Sequence, residues 1–356
     1  MIFSENQPPL FRIMLQRGDA LMREPDFWWR PGSGGMLSPL AAIYGAVAAL
    51  RMQTPGQRVG VPVICLGNLT VGGAGKTPAA LAVGELLLDA HERPCFLSRG
   101  YDGRLAGPLR VDPAVHSAAA VGDEPLLLAR LAPTIVARDR LAGAKAAQLA
   151  GANVIVMDDG FQNPALTKDL AILLVDGRRG VGNGRVIPAG PLRAPLETQI
   201  AQAQALVIVG PPASAAAVAQ LARRHGVAIF HGRLEADRST LAALGTRQVL
   251  AFAGIGDPQK FFATLADAGI AVAERLSFPD HHRYTEAEAH ALIARADAAD
   301  LTLLTTEKDL ARLAGDPHVA ALAARARALP VHLVIEEAEA FRQLILRVVQ
   351  PSARNN

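Results

Sequence analysis

The chain has 356 residues, half of them hydrophobic, and its 36 Lys and Arg against 33 Asp and Glu leave a formal net charge of +3. This length allows two domains, and the apolar content excludes disorder over most of the chain. The small net charge and the 4% of aromatic residues provide no basic stripe with interleaved aromatics, so nucleic acid is not expected as a partner. No protein partner is predicted either.

The first segment of the chain, residues 1–52, is apolar toward its end. Residues 31–50 carry no charge, but the run is too short and too often interrupted by Ser, Pro and Gly to span a bilayer comfortably. Trp28 and Trp29 lie next to Arg30, a combination typical of a bilayer interface. We therefore predict an interfacial helical segment. A helix packed on the protein's own core is the alternative.

From residue 61 onward, short apolar runs alternate with alanine-rich stretches of helical periodicity. Runs of this kind, separated by helices, predict a doubly wound, mainly parallel α/β sheet that is covered on both faces. Ligands of such sheets bind at the carboxyl ends of the strands. The predicted strands of this larger unit lie in residues 61–67, 94–98, 133–137, 153–159, 170–176 and 205–210.

A second, smaller α/β unit follows a less regular connection that is expected to form two strands. Its predicted strands lie at 248–256, 301–309 and 331–336. Helices are expected to begin at Pro258 and Glu286. The predicted division of the chain is an interfacial segment at 1–52, a main domain at 53–228, a connecting β-bridge at 229–247 and a smaller domain at 248–348.

The stretch NLTVGGAGKTP lies between the first apolar run and a helix, as a phosphate-binding loop does. It departs from the pattern G-x-x-x-x-G-K-[ST], because Thr70 stands where the first glycine is expected. The glycines let backbone N–H groups turn toward phosphates, Lys76 supplies a charge for the β- and γ-phosphates, and Thr77 can hold Mg²⁺. A glycine-rich turn with an unrelated lysine is the alternative. The predicted nucleotide-binding residues are Thr70, Val71, Gly72, Gly73, Ala74, Gly75, Lys76 and Thr77.

Carboxylates mark two further positions. Asp158 and Asp159 end the run NVIVMDD, where a Walker B element orders the water ligands of Mg²⁺, although an Asp pair before glycine is also an ordinary turn. Asp123, in VGDEP, is either a general base beside a phosphoryl acceptor or the N-cap of a leucine-rich helix.

Three loops carry the remaining polar candidates. In FPDHHRYTEAE, a threonine–glutamate capping box leaves Asp280, His281 and His282 in the loop before a helix. Two histidines without further ligands are a poor metal site. The loops at 98–104 and 176–193 are rich in arginine and glycine, which suits an anionic ligand but is also found in solvated loops.

Taken in chain order, seven motifs resemble those of the tetraacyldisaccharide 4'-kinases, which phosphorylate a lipid A precursor: NLTVGGAGKTP, SRGYDG, VGDEP, DDGFQ, GNGRVIPAGPLR, FPDHHRY and TTEKD. The match runs from about Trp28 to about Asp309. Threonine in place of the first P-loop glycine is a feature of that family as well. The resemblance implies a P-loop NTPase-type domain and a smaller α/β domain joined by a β-bridge, with an N-terminal membrane-associated helix.

The resemblance also implies the reaction. The γ-phosphate of ATP passes, with Mg²⁺, to the 4'-hydroxyl of a tetraacyl glucosamine disaccharide 1-phosphate. The acylated lipid and the membrane surface are the expected partners, and a monotopic position on the cytoplasmic face of the inner membrane is the expected location. Because each buried CH₂ holds the lipid in the bilayer by about 0.8 kcal/mol, the enzyme has to approach the membrane.

Carried over residue by residue, the resemblance makes Asp123 the general base and His281 its partner in a dyad, while Lys76 keeps its P-loop role. An aspartate with a pKa near 3.9 is a weak base at pH 7, and an imidazole can orient it and share the proton. Since the two residues belong to different domains, the domains have to close on the substrate. His282 has no assigned role.

The resemblance also provides candidates for the metal and the acceptor. For Mg²⁺, Asp159 is the first choice together with Thr77, and Asp158 and Gln162 are lesser candidates. The candidate contacts to the acceptor lipid are Arg99, Tyr101, Asn183 and Arg185.

A P-loop GTPase or metallochaperone, which acts as a binding switch, is the alternative function. Such proteins read guanine with Asn/Thr-Lys-x-Asp. In the sequence Thr306-Glu307-Lys308-Asp309 the lysine stands one place too late, and no Cys/His metal cluster accompanies it.

Overall fold

Two β-sheets dominate the computed structural model, which describes residues 24–350. In chain order the strands are β1 (Val63–Asn68), β2 (Pro94–Ser98), β3 (Leu109–Arg110), β4 (Thr134–Val136), β5 (Val154–Asp158), β6 (Leu170–Asp176), β7 (Ala205–Val209), β8 (Ala228–Ala236), β9 (Val249–Ala253), β10 (Val272–Ser277), β11 (Thr302–Thr306), β12 (Arg327–Leu329) and β13 (Val331–Ile335).

The larger sheet has nine strands in the order β13-β8-β7-β6-β1-β5-β2-β4-β3. Its pairs are parallel except at the two edges, where β13 on β8 and β3 on β4 are antiparallel. The smaller sheet has four strands in the order β10-β9-β11-β12, all paired in parallel. The predicted mainly parallel α/β fold with a second, smaller sheet is confirmed.

Helices pack against both sheets. They are α1 (Ser38–Met52), α2 (Lys76–Asp89), α3 (Ala118–Val121), α4 (Asp123–Leu128), α5 (Arg140–Leu149), α6 (Leu196–Ala201), α7 (Ala216–Arg224), α8 (Arg238–Leu244), α9 (Pro258–Asp267), α10 (Glu286–Ala298), α11 (Glu307–Leu313), α12 (Ala320–Arg325) and α13 (Ala338–Val349).

The central strand β1 explains why its run is apolar throughout. Side chains alternate between the faces of a strand, so Cys65 joins the hydrophobic cluster on one face and Ile64 and Leu66 join the cluster on the other. β1 pairs with β5 on one side and β6 on the other, which brings the carboxyl ends of these three strands to one edge of the sheet.

Two sequence predictions about the later part of the chain are wrong in detail. The run at 331–336 is expected in the smaller unit, but β13 pairs with β8 in the larger sheet. It covers an edge whose N–H and C=O groups would otherwise lack partners. Phe341 and Ile345 of α13 then pack into the core of the larger sheet. The expected two-stranded connection is one strand, β8, followed by helix α8. The division into domains at the predicted boundaries stays a prediction.

Helix α1 packs on the protein with one face and exposes an apolar stripe on the other. Gly45 faces Val186 and Pro195, and Met52 is buried in the core. The stripe consists of Leu40, Ile43, Val47 and Leu50, which follow one another at intervals of three or four residues and are all exposed, Ile43 by 65%. Gly35–Met52 is the one stretch of the described residues long and apolar enough to cross a membrane, with a mean hydropathy of 1.3.

The two tryptophans do not lie free at a surface. Trp28 is buried and donates from Nε1 to the carbonyl oxygen of Pro188 at 3.0 Å, so it does not have the exposure that a bilayer anchor requires. Trp29 donates to Glu24, and the guanidinium of Arg179 lies 4.8 Å from its ring. Residues 1–23 of the predicted interfacial segment lie outside the described residues.

Candidate active site

The predicted phosphate-binding stretch follows β1 at the carboxyl edge of the larger sheet. Gly72 and Gly75 have φ angles of 97° and 94°, which favour glycine. Asn68 donates from Nδ2 to the carbonyl oxygen of Gly72 at 2.7 Å and closes the turn. Gly75 directly precedes α2, so the buried Lys76 is the first residue of that helix. The N–H groups of a first helical turn have no intrahelical partners and attract phosphate.

Buried polar atoms without partners lie close to the start of α2. Among the described residues, Thr77 Oγ1 and both carboxylate oxygens of Asp158 are buried and make no hydrogen bond. Burial raises the pKa of Asp158 to about 7, and the charge of Glu124 contributes to the rise. Buried groups of this kind are costly unless a ligand completes them, and hard oxygen donors suit Mg²⁺.

Asp159 differs from its neighbour because two cations hold it. Its Oδ1 accepts from Nη1 of Arg193 at 2.6 Å and lies 3.7 Å from Nζ of Lys76. Although burial raises the pKa of Asp159, Arg193 and Lys76 hold it well below its usual range. Arg193 also donates from Nε to the carbonyl oxygen of Thr70 at 3.1 Å. The structure therefore brings Thr70, Lys76 and Asp159 together around Arg193, which the sequence presents only as part of an arginine-rich loop.

Asp123 and His281, predicted as a dyad, are in contact. His281 Nδ1 lies 3.4 Å from Oδ2 of Asp123, and the Asp123 side chain is 3% exposed. The N-cap of α4 is Gly122, and Asp123 is the first helical residue, with Oδ1 accepting from the N–H of Glu124 at 2.7 Å. The alternative interpretation of Asp123 as the N-cap is therefore wrong.

The pKa values of both members of the dyad are shifted from their ordinary values. Burial raises the pKa of Asp123, but the hydrogen bond of His281 and the charge of Arg312 together hold it far below its usual range. Burial lowers the pKa of His281, but Asp123 more than offsets this and raises it. The ring of Tyr101 lies 4.9 Å from the imidazole of His281.

The dyad and the phosphate-binding loop are electrostatic neighbours. Glu124, next to the base, carries a carboxyl whose pKa burial raises, while Lys308 and Lys76 lower it to a value below the usual range. The charge of Glu124 also acts on Asp158. One continuous charged region thus joins the first turn of α2, the end of β5 and the start of α4.

The most important residues that the sequence does not predict come from α11. Arg312 donates from Nε to Oδ2 of Asp123 at 2.7 Å, and Lys308 pairs with Glu124 at 2.5 Å. The motif TTEKD is recognised in the sequence, but as the end of a strand run. Helical spacing from Lys308 to Arg312, which puts both cations on one face, is the signal that could have indicated them.

Two other candidates have structural contacts. Gln162 donates from Nε2 to the carbonyl oxygen of Asn68 and to Oε1 of Gln199, both at 2.9 Å, so its amide nitrogen supports the loop after β1. His282, without a predicted role, contacts Glu288 at 3.0 Å and stacks on Phe278.

The four candidate contacts to the acceptor fall into two groups. Arg99 is exposed where β2 ends, near the dyad-contacting Tyr101. Asn183 donates from Nδ2 to the carbonyl oxygen of Ala189 at 2.8 Å, and its Oδ1 accepts from the N–H of Arg185. Arg185 reaches Ser38 Oγ at the start of α1 at 2.5 Å, so the second group lies beside the apolar stripe.

Residues 34–350 match the family model described as Tetraacyldisaccharide-1-P 4'-kinase. The chain belongs to this family. A relative named Tetraacyldisaccharide 4'-kinase from Rhodopseudomonas palustris (strain BisB18) is 55% identical over 91% of this chain and 95% of its own length. One of the same name from Nitrobacter winogradskyi is 50% identical over 91% of this chain and 97% of its own length.

A solved structure is also similar to this member of the tetraacyldisaccharide 4'-kinase family. The crystal structure of LpxK from Aquifex aeolicus in complex with ATP has a TM-score of 0.66 and 30% identity, covering 89% of this chain and 99% of that chain. The resemblance drawn from the seven motifs is confirmed, and with it the assignment to the kinases. The comparisons give no support to a GTPase-type switch.

Proposed function

We propose that this protein transfers the γ-phosphate of ATP to the 4'-hydroxyl of a tetraacyl glucosamine disaccharide 1-phosphate. The observation that carries the proposal is the buried contact between Asp123 and His281, beside a glycine-rich loop that has the form of a phosphate-binding loop. The family of the chain and the names of its relatives support the acceptor.

The donor is ATP, which is bound in the related structure from Aquifex aeolicus. The nucleotide-binding residues are those of the stretch from Thr70 to Thr77. Two features support this assignment: the positive φ angles of Gly72 and Gly75, and the position of Lys76 at the first turn of α2. In this arrangement Lys76 exchanges the nearby carboxylate of Asp159 for the β- and γ-phosphates.

Thr77 and Asp158 are the residues that would hold Mg²⁺. The support is that Oγ1 of Thr77 and both carboxylate oxygens of Asp158 are buried and have no hydrogen-bond partner. Asp159, the first choice from the sequence, is occupied by Arg193 and Lys76, so a role in holding these cations suits it better. When bound, Mg²⁺ neutralises the charge that develops on the β- and γ-phosphate oxygens.

The chemical step needs a base, and Asp123 serves as that base. It takes the proton of the 4'-hydroxyl as the sugar oxygen forms a bond to the γ-phosphorus, and the bond from that phosphorus to the bridging oxygen breaks to release ADP. His281 contacts the carboxylate through its Nδ1 and shares the proton. Asp123 lies on α4 of the larger unit and His281 on a loop of the smaller unit, so the site is assembled from both.

The acceptor contacts Arg99 and Tyr101 near the dyad and Asn183 and Arg185 near α1. The ring of Tyr101 lies tilted against the imidazole of His281, which puts an aromatic ring beside the place where the sugar hydroxyl has to lie. Arg185 lies next to the helix with the apolar stripe, where a lipid headgroup meets the protein. Guanidinium groups suit the 1-phosphate of the acceptor.

The protein works as a monotopic enzyme at the cytoplasmic face of the inner membrane. The apolar stripe of α1 supports this location, because covering its four exposed aliphatic side chains with a bilayer lowers the free energy of the membrane-bound protein. The acceptor itself does not leave the bilayer, so the enzyme has to meet it there.

The proposal is tested by phosphate transfer from γ-labelled ATP to a tetraacyl disaccharide 1-phosphate in mixed micelles. The diacyl monosaccharide 1-phosphate serves as the control acceptor, and Lys76→Ala serves as the control enzyme. We expect labelled 4'-phosphate only with the disaccharide and the unmodified chain. Transfer to neither acceptor, or transfer with GTP in preference to ATP, would contradict the proposed function.

A further inference from the structure

Arg312 joins the two units of the protein through three polar contacts. Its Nε donates to Oδ2 of Asp123 at 2.7 Å, and its Nη1 donates to the carbonyl oxygen of Gly254 at 2.7 Å and to Oδ1 of Asp309 at 3.0 Å. The Arg312 side chain is only 7% exposed. A buried arginine with three fixed contacts has one geometry, and the carboxylate that it holds shares that geometry.

We propose that Arg312 is a positioning residue for phosphoryl transfer, which fixes the carboxylate of Asp123 and makes the base complete only when the smaller unit contacts the larger one. The inference rests on the proposed role of Asp123 as the base. Arg312 itself touches neither reacting atom; it acts through Asp123.

The contacts of Asp123 explain why one arginine determines its orientation. Oδ1 is held by the N–H of Glu124 within its own helix. Oδ2 is the oxygen that faces His281, and Arg312 is the other donor to it. His281 at 3.4 Å is the longer contact, so Arg312 at 2.7 Å determines where Oδ2 lies. Without Arg312, rotation of the carboxylate would be limited by a single backbone hydrogen bond and a weak imidazole contact.

Arg312 is itself held by a buried hydrogen-bond network centred on Asp309. Asp309 is fully buried and accepts from the hydroxyl of Tyr284 at 2.9 Å and from the N–H of Gly254 at 3.0 Å. The hydroxyl of Thr306 donates to its other oxygen at 2.6 Å. The partners of Asp309 all belong to the smaller unit, so Arg312 is fixed in that unit before it reaches Asp123.

Charges from several elements face Asp123, and each affects its titration. Arg312 and Lys308 approach from α11, His281 approaches from the loop before α10, and Glu124 follows on α4 itself. Burial raises the pKa of Asp123, and the cations more than offset this rise. Removal of Arg312 therefore raises the pKa of Asp123, so the carboxylate becomes protonated at a higher pH and the acid limb of the rate profile moves upward.

The test compares Arg312→Met and Arg312→Lys with Arg325→Gln, which removes another arginine–aspartate contact of the same unit, at an exposed site. For Arg312→Met we expect kcat to fall about 10- to 100-fold while KM for ATP is unchanged, because the base is displaced and the nucleotide site is not. The acid limb of kcat should move to higher pH. Arg312→Lys restores the positive charge but not the planar guanidinium with its several N–H donors. The acid limb of kcat should therefore lie at the same pH as in the parent, whereas kcat itself should recover only in part. Arg325→Gln should match the parent chain.

A double-substitution cycle separates positioning from folding. If Arg312 acts through Asp123, adding Arg312→Met to Asp123→Asn should leave the residual turnover unchanged. An effect of equal size in both backgrounds would overturn the proposal, as would Arg312→Met with the parent's kcat, or a fall in kcat without movement of the acid limb. If Arg312→Met fails to fold, the same comparison is made with Arg312→Lys, alone and combined with Asp123→Asn. Near-normal turnover of Asp123→Asn would refute the proposed base instead.

Discussion

Replacement of Asp158 by asparagine should stabilise the protein at high pH when Mg²⁺ is absent. Asp158 is 1% exposed and both its oxygens lack partners, so its ionised form is unfavourable in the folded state. Burial raises its pKa from 3.8 to about 7. Each pKa unit is worth about 1.4 kcal/mol, so full ionisation costs the folded state about 4 kcal/mol.

The direction with pH follows from linkage. Because the folded pKa is raised, the contribution of Asp158 to stability is fully present below pH 3.8 and is lost as the pH rises through about 7. Asp158→Asn has no proton to lose. The difference in stability between variant and parent should therefore be small below about pH 4, grow with pH up to about pH 7 and level off above it.

Thermal midpoints in EDTA between pH 5 and pH 8 measure this effect. At about 2 °C per kcal/mol for a chain of this size, the midpoint of Asp158→Asn should exceed that of the parent by several degrees at pH 8, with about 8 °C as an upper limit. The neighbouring Asp159→Asn is the control with the opposite sign. It removes a carboxylate that Arg193 holds at 2.6 Å and should lower the midpoint at pH 8.

Mg²⁺ with an ATP analogue extends the test to the proposed metal site. The ligand should stabilise the parent and have little effect on Asp158→Asn, since the variant lacks a negatively charged oxygen for the ion. The reasoning about burial is refuted if Asp158→Asn is less stable than the parent at pH 8, or if the difference does not change with pH. Equal stabilisation of both chains by the ligand would refute the metal assignment alone.

Three further predictions concern the base, the membrane and the core. Asp123→Asn and His281→Ala should each lower kcat by about 10²- to 10⁴-fold in the transfer assay with nearly constant affinity for ATP, and near-normal turnover of either would remove it from the dyad. Ile43→Glu should reduce co-flotation with anionic liposomes at low salt, whereas the Glu85→Gln control should float as the parent does; equal flotation of all three would contradict an interfacial role of the stripe. Gly67→Val should markedly lower the thermal midpoint, since a Cβ at Gly67 would lie 2.3 Å from Cβ of Phe161, and an unchanged midpoint would show that the strand has room there.

The larger sheet is predictable from sequence because its strands are buried on both faces. Runs such as LAILLVD have no alternative to burial, and the observed strand Leu170–Asp176 matches the predicted bounds. The short strands Leu109–Arg110 and Arg327–Leu329, and the half-exposed strand Val272–Ser277, give no comparable signal. They form because neighbouring strands offer them hydrogen-bond partners, which is a property of the assembled sheet.

The active-site residues likewise divide into those that sequence motifs indicate and those that only tertiary contacts reveal. Lys76 stands in a short motif whose chemistry can be read locally, whereas Asp123 and His281 receive their roles from the resemblance to the kinase family. Arg312 lies outside every motif, and its role depends on the contact between residues 189 positions apart. Asp158 and Asp159 are adjacent and chemically identical in the sequence. Only the surroundings show that one is unpartnered and the other is held by Arg193.

The return of the chain to β13 makes the smaller unit an insertion within the larger one. The polypeptide departs after β8 and comes back as β13, which lies antiparallel beside β8, so the two crossings are next to each other. Two adjacent connections between the units act as a hinge: they allow the smaller unit to rotate about one axis and resist translation or twisting relative to the larger unit. Deletion of the last twenty or so residues of α13 and β13 should consequently damage the nucleotide-binding sheet, although these residues follow the smaller unit along the chain.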